Sequence, residues 1–386
     1  MEILGSIDKD ACSTWLEINL DNLRHNIHEL ESLTQKPIML VVKANSYGLG
    51  LVDISKAAEQ AGVAWLGVAR IEEALALRVA GVKCNILVLG YAPPKRLYDA
   101  ILADIALTVY DREVGEAYCS EAKAVHGKIR IHVKTDTGMG RLGFFPSEVA
   151  DFLRWAKAQR QLKVEALITH FACADDPSQP STRLQIDEFN QLLVKLETEG
   201  LKPGMIHASN SSGTLNFPEA RYDLTRCGIS AFGIQPSVTT PIPDTFKPVV
   251  EWKTHLISSK ILPPGHGVSY GYSYHTKKAE RIGVIAIGYA DGFRRRTGNY
   301  ALVCGKRVPV VGNVCMDQCM VNLDTVPEAK IGEEVVLIGK QNGEAIKVEE
   351  LAQDWGTITY EVICGLADRV PRFFIDSSSK NGKTSK

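Results

Sequence analysis

Between residues 38 and 233 the chain repeats one unit: a short apolar run, a polar turn, then a stretch with apolar residues three and four apart. Eight runs read as strands: Ile38–Lys43, Val63–Ala69, Ile86–Gly90, Ile105–Val109, Ile129–Lys134, Val164–His170, Met205–Ser209 and Ile229–Gly233. Consecutive apolar residues such as Ile38-Met39-Leu40-Val41-Val42 suit strands buried on both faces, the habit of a parallel sheet. Most intervening stretches, among them Ile71–Ala80, Ser147–Gln159 and Thr182–Thr198, carry helix formers at helical spacing. Only the gap before the eighth run is short and less clearly helical. Eight β-then-α units over about 200 residues predict a (β/α)8, TIM-like barrel near the lower end of its size range. An open doubly wound sheet is the alternative arrangement of the same units.

After about residue 240 the pattern changes. Pro236, Pro241, Pro243 and Pro248 mark a linker, and the runs beyond it are β-rich and punctuated by Gly and Pro. Trp252–Ile261, Arg281–Gly288, Ala301–Val303, Val308–Val311, Met320–Leu323 and Glu334–Ile338 predict a mainly β domain. The α/β barrel is expected over residues 14–245, the β domain over 1–13 plus 246–375, and a disordered tail over 376–386. Trp15–Ile18 precedes the first barrel helix and reads as a strand lent to the β domain.

At 386 residues, each domain can bury its own core. Lys and Arg number 44 against 45 Asp and Glu, so there is no basic stripe for nucleic acid and no polybasic membrane patch. No run approaches the length of a membrane span, and the first residues lack a secretory pattern. Nine cysteines at irregular spacing predict reduced thiols in the cytoplasm. Cys315 and Cys319 have neither a second cysteine pair nor an HExxH helix beside them, so no metal site is expected.

On a barrel, chemistry sits at the C-terminal strand ends, and the polar residues there form a set. Lys43 ends the first run, Lys134 to Arg141 follow the fifth, and His170 ends the sixth. Ser209-Asn210-Ser211-Ser212-Gly213 follows the seventh, and Thr225-Arg226-Cys227-Gly228-Ile229 leads into the eighth. A partly desolvated lysine amine can lose its proton and form a Schiff base with an aldehyde cofactor. The backbone amides of Gly228 and Ile229 with the Ser211 hydroxyl can cradle a phosphate, and Tyr47 adds a phenolic donor. Arg226 suits the ring nitrogen of pyridoxal phosphate; always protonated, it would leave that nitrogen unprotonated and the ring a weaker electron sink. Taken singly, each has a blander reading. Lys43 could be a surface lysine snorkelling from a strand end, Arg226 a salt-bridge partner, His170 a satisfied core histidine, and the Ser/Asn/Gly stretch an ordinary loop. Joint placement on one rim favours the chemical reading.

Ten segments then carry a resemblance in order and spacing: VVKANSYGLG (41–50), KTDTGMGRLG (134–143), THFACAD (169–175), HASNSSG (207–213), DLTRCGIS (223–230), GVSYG (267–271), IGYADGF (287–293), CMDQ (315–318), TYEV (359–362) and RVPR (369–372). The chain resembles the alanine racemase family, fold-type III pyridoxal-phosphate enzymes. The resemblance implies two-base racemisation of L- and D-alanine, with D-alanine going to peptidoglycan. It implies Lys43 as Schiff-base lysine and one base, and Tyr270 as the opposing base, reaching the partner's active site in an obligate homodimer. It assigns Arg226 to the pyridine nitrogen, His170 to a hydrogen bond with that arginine, and Tyr47, Ser211, Gly228, Ile229 and Tyr360 to the phosphate, with Asn210 beside them. Arg141 and the Met316 amide would hold the substrate carboxylate, while Tyr289 and Tyr360 would narrow the entrance. Lys134 matches a lysine that is carbamylated in some members and then orients the arginine corresponding to Arg141. Leu49 stands where the family usually has histidine. Asn313 stands where Gly-Arg usually precedes Val-Cys-Met-Asp, and Ala367-Asp368 replaces the common Ser-Tyr or Gly-Lys before Arg-Val-Pro-Arg. A serine or broad-specificity racemase of the same fold, and a pyridoxal-phosphate carrier lacking the β domain, are the alternatives. Retained Tyr360 and the residues after the linker weigh against them.

Overall fold

The computed structural model describes residues 8–378. Within it, Leu23–Lys247 forms one compact unit, and the described residues up to Asn22 with those from Pro248 onward form the other. The N-terminal residues 1–7 and residues 379–386 of the expected tail lie outside the described residues.

The first unit is an eight-stranded parallel sheet: β1 (Ile38–Val41), β2 (Trp65–Val68), β3 (Asn85–Val88), β4 (Ile105–Val109), β5 (Ile129–Lys134), β6 (Leu162–Ile168), β7 (Met205–His207) and β8 (Thr225–Cys227). From β1 to β7, neighbours in sequence are neighbours in the sheet, and β8 pairs with β1. Between β7 and β8 the curl is completed by Asp223 N–H to Ile206 O and Arg226 N–H to Ser209 O, both 3.0 Å. This is the TIM-like barrel that the repeating pattern predicts. Met39, Trp65, Leu87, Ala106 and Leu224 form a buried apolar cluster. Each fully buried large side chain of this kind contributes roughly 1.5–3 kcal/mol.

The eighth strand is not where apolarity pointed. Ile229–Phe232 is a 3-10 turn, and the strand is Thr225–Cys227. A short buried apolar run cannot be told from a buried helical turn by periodicity. The true strand was disguised because its central residue, Arg226, is charged.

In the second unit the long strand Val250–Leu262 pairs with both Glu280–Ile285 and Glu334–Gln341. Tyr300–Val303, Lys306–Val311 and Cys319–Asn322 complete the circuit, closing six strands into a β-barrel. Register shifts within Val250–Leu262 give the bends that let one strand serve two neighbours. Thr14–Asn19 adds antiparallel to Val250–Leu262 and parallel to Arg372–Ile375, as expected for Trp15–Ile18. Two helices, Val348–Trp355 and Thr359–Cys364, were not anticipated. The first seats Trp355 against Phe293, ring centroids 6.1 Å apart, and Phe293 against Trp252 at 5.9 Å.

Candidate active site

Directly after β1 the backbone turns the wrong way for L-residues. Ala44, Asn45, Ser46 and Tyr47 have φ of 54°, 56°, 52° and 58°, a left-handed turn beginning behind Lys43. Such a conformation costs roughly 1–2 kcal/mol per non-glycine residue, Asn being more tolerant. Hydrogen bonds offset that cost: Ser46 N–H to Val42 O (2.8 Å), Gly48 N–H to Ala44 O (2.9 Å) and Gly50 N–H to Asn45 O (2.9 Å). The Asn45 side chain accepts from Leu51 N–H at 2.8 Å. The turn leaves Lys43 exposed and folds Tyr47 inward, where its ring meets Phe232 edge-on at 5.4 Å.

Tyr47 arrives beside Gly228. A Cβ at Gly228 would stand 2.3 Å from the Tyr47 hydroxyl, so only glycine admits the tyrosine. Gly228 N–H donates to Ser211 Oγ at 3.1 Å, and the Ser230 hydroxyl reaches the same oxygen at 3.1 Å. Phenol, two hydroxyls and a backbone amide thus converge at one end of the barrel, with the Ile229 amide next in the chain. Ser230 was missed as a site residue, although it ends the DLTRCGIS segment. Asn210 caps the helix Ser211–Asn216, its side chain accepting from Gly213 N–H at 2.8 Å.

Arg226 is buried in the barrel interior. Its Nη1 donates to His207 Nδ1 (3.1 Å) and His207 O (2.9 Å). Its Nη2 donates to Thr169 O (2.8 Å), His170 Nδ1 (3.2 Å) and Ala208 O (2.6 Å). Nε–H is the one donor of the guanidinium outside these contacts. Burial pushes the Arg226 pKa down to about 10, so it remains a cation at neutral pH. Burial first, and the Arg226 charge after it, hold His170 and His207 well below the ordinary imidazole range. Both are therefore neutral acceptors. His207 was not foreseen; its only signal was the first letter of HASNSSG.

Lys134 ends β5 and is buried. Burial, then the charges of Arg141, Arg226 and Lys43, push its pKa down to about 8, with Asp136 opposing. The loop that follows is wound around the Asp136 carboxylate, which accepts from the amides of Gly138 (2.9 Å), Met139 (2.7 Å), Gly140 (3.1 Å) and Arg141 (3.0 Å). Those bonds outweigh partial burial and hold Asp136 below the usual carboxylate range. The barrel unit thus brings Lys43, Lys134, Arg141, His170 and Arg226 into one electropositive neighbourhood.

The remaining expected residues belong to the β unit. Tyr289 and Met316 lie on touching loops: Tyr289 N–H donates to Cys315 O and Ala290 N–H to Met316 O, both 3.0 Å. A Cβ at Gly288 would stand 2.1 Å from Met316 O, so glycine is required there too. Asn313 Nδ2 donates to Tyr270 O at 2.7 Å, and Ser269 Oγ to Asn313 O at 2.6 Å, clasping the Tyr270 loop to the segment before Met316. Arg369 bonds Asp291 (2.7 Å) and Asp317 (2.6 Å), which ties the GYADG, CMDQ and RVPR segments together. Tyr360 stands half-buried on the helix Thr359–Cys364.

Pyridoxal phosphate demands an amine for its aldehyde, donors for a phosphate dianion, and a partner for its ring nitrogen. Lys43, the glycine-lined cradle at Tyr47, Ser211, Gly228 and Ser230, and the Nε–H of Arg226 meet those demands. The barrel residues fit the group.

Comparison with known proteins agrees. Residues 18–236 match the alanine racemase N-terminal domain, and residues 249–374 the alanine racemase C-terminal domain. An alanine racemase of Symbiobacterium thermophilum is 42% identical over 364 residues, covering 94% of this chain and 97% of that protein. Among solved structures, alanine racemase of Streptomyces coelicolor superposes with a TM-score of 0.91 at 35% identity, covering 96% of this chain and all of the other. Alanine racemase of Bacillus anthracis with bound L-Ala-P gives 0.88 at 38% identity, covering 97% of each. Matched in both domains and along nearly its whole length, the chain belongs to the alanine racemase family.

Proposed function

We propose that the chain interconverts L- and D-alanine with pyridoxal phosphate held on the barrel rim, as a cytoplasmic homodimer whose product serves peptidoglycan assembly. The family is pyridoxal-phosphate-dependent. The observation that carries the reading is the convergence of Lys43, Arg226 and the Tyr47–Ser211–Gly228 cradle on one end of the barrel.

When bound, pyridoxal phosphate would supply an aldehyde for the substrate amine and an electron-withdrawing ring that acidifies the Cα–H bond. Tyr47, Ser211, Ser230 and the amides of Gly228 and Ile229 hold the phosphate, with Asn210 fixing the helix that presents Ser211; Tyr360 adds a further phenol. Arg226, which donates to His170 and His207, would also donate a hydrogen bond to the ring nitrogen while keeping its own proton. Arg141 and the Met316 amide hold the alanine carboxylate, and Tyr289 with Tyr360 narrows the approach. Lys134, carbamylated, would turn its repulsion of Arg141 into attraction. The Lys43 amine moves the proton on one face of Cα. Tyr270 of the partner subunit moves it on the other. The exposure of Tyr270, Tyr272 and Met316 in the single chain supports a surface that a second copy covers.

The test is racemisation by the purified protein across a panel of small L-amino acids with pyridoxal phosphate. Alanine should react fastest, and Lys43→Ala should abolish both turnover and the yellow, lysine-linked cofactor. Faster turnover of serine, or none of alanine, would overturn the substrate.

A further inference from the structure

Glu73 looks at first like a helix cap. It is the third residue of the helix Ile71–Val79, and its Oε2 accepts from Ala69 N–H at 2.8 Å and Arg70 N–H at 3.1 Å, as a glutamate at that position commonly does. Its other oxygen does something a cap does not require. Oε1 accepts from Ala44 N–H at 2.6 Å, the amide immediately after Lys43 and the first of the four left-handed residues.

We propose that Glu73 is a positioning residue for Lys43, its carboxylate locking the left-handed turn from which the reactive amine projects. The proposal rests on the reading of Lys43 as the cofactor lysine. Ala44 has no glycine's freedom at φ 54°, and the bonds within the turn begin only at Ser46 N–H. The peptide joining Lys43 to Ala44 is thus fixed by a side chain from another element. That carboxylate cannot drift, because the helix start grips its second oxygen. Without it, Ala44 relaxes toward ordinary dihedral angles, and the root of the Lys43 side chain turns with it. The amine then points elsewhere on the rim while the barrel beneath stays intact. A misplacement of this size costs on the order of 10–100-fold in rate.

The experiment compares wild type, Glu73→Ala and Glu73→Gln, each alone and with Ala44→Gly. Three quantities are read: thermal midpoint, hydrogen exchange of the apo-protein over residues 43–51, and the rate at which borohydride traps pyridoxal phosphate on the Lys43 peptide. Glu73→Ala should speed exchange in that segment and slow trapping roughly 10–100-fold, with kcat falling in parallel and KM little changed. Glu73→Gln keeps one acceptor oxygen and should fall between. Ala44→Gly should restore much of the trapping rate, because glycine adopts positive φ without the steric penalty, and should leave the thermal midpoint unrescued. A variant that loses thermal stability while exchange and trapping stay at wild-type values would make Glu73 a cap only and overturn the proposal. Should both Glu73 variants fail to fold, rapid exchange of the Ala44 amide in wild type would overturn it and strong protection would support it. No trapping on Lys43 in wild type would instead refute the cofactor reading, since the exchange result on Ala44 stands independently.

Discussion

Arg226 donates to His207 Nδ1 at 3.1 Å, and that single contact fixes the protons of two histidines. A guanidinium has no acceptor, so His207 Nδ1 must be bare and its proton must lie on Nε2. His207 Nε2 stands 3.0 Å from His132 Nδ1, which therefore accepts, leaving the His132 proton on Nε2. That last donor has no partner among the described residues; the nearest carboxylate oxygen, on Glu165, is 3.9 Å away. The hydrogen bonds run one way, from the rim cation down into the barrel.

Replacing His207 by phenylalanine leaves a buried Nη1 donor of Arg226 short of an acceptor. An unsatisfied buried group costs about 1–3 kcal/mol, and the urea midpoint should fall accordingly. His207→Gln, which can still accept, should lose less. Equal stability of wild type and His207→Phe would show that the contact does not hold Arg226.

The same burial makes the fold acid-sensitive in a defined window. His132 is pushed down to about 3, by burial first and then by Arg130 and Arg226, and His170 and His207 are held well below their usual range. Unfolded, all three protonate near pH 6.5. Below that pH the unfolded state binds more protons, so stability falls as pH drops, by about 1.4 kcal/mol per pH unit for each histidine fully engaged. Above it the slope fades within about one pH unit. Urea titrations at pH 7.5, 6.5 and 5.5 should show a loss about three times larger over the lower interval than over the upper, and His207→Gln should shed about one proton's worth. A flat profile from 6.5 to 5.5 would contradict the assignment of neutral buried imidazoles.

With its pKa near 8, Lys134 is about one quarter free amine at pH 7.5, against roughly a thousandth for an ordinary lysine. Only the free amine, through its nitrogen lone pair, attacks carbon dioxide, and it loses a proton as the carbamate forms. In 13C-labelled bicarbonate at pH 8, a carbamate carbon signal should appear, vanish in Lys134→Met, and decay on acidification to pH 6 as the amine reprotonates. No signal at pH 8 with excess bicarbonate would leave Lys134 unmodified.

Asn313, a departure from the usual arginine, acts here as a clasp through its 2.7 Å bond to Tyr270 O. Asn313→Ala should slow racemisation roughly fivefold, the equivalent of about 1 kcal/mol for one neutral hydrogen bond. Lys43 trapping should stay unchanged. Wild-type racemisation in that variant would show that the Tyr270 loop holds itself.

The barrel was legible because strands buried on both faces write long apolar runs, and the β unit because its runs alternate between Gly and Pro breaks. Legibility failed where function intrudes on pattern. Arg226 sits inside the eighth strand and erased its apolar signature, so the strand was placed on the buried turn Ile229–Phe232 instead. The left-handed turn at Ala44–Tyr47 left no trace either, because it contains no glycine and is held by Glu73 from another element. Lys43 and Ser211 were nominated by their place at or after a strand end, and Arg226 and Gly228 by their place just ahead of the supposed eighth strand. Ser230 and His207 emerge only from the fold, since a serine in a buried turn or a histidine in a short strand has many ordinary roles.

In the proposed mechanism Lys43 and Tyr270 serve opposite faces of one substrate across two subunits, and mixing inactive chains separates that arrangement from its rivals. Tyr270→Phe should depress racemisation by about 10²–10⁴-fold while leaving the lysine-linked absorbance intact, and Lys43→Ala should lose both. In deuterated solvent, Tyr270→Phe should still exchange the α-proton of D-alanine more readily than that of L-alanine. Heterodimers of the two variants hold one composite site with both bases, and racemisation should return in them. Heterodimers that form, as shown by mass, yet remain inactive would mean that Tyr270 does not act across the interface.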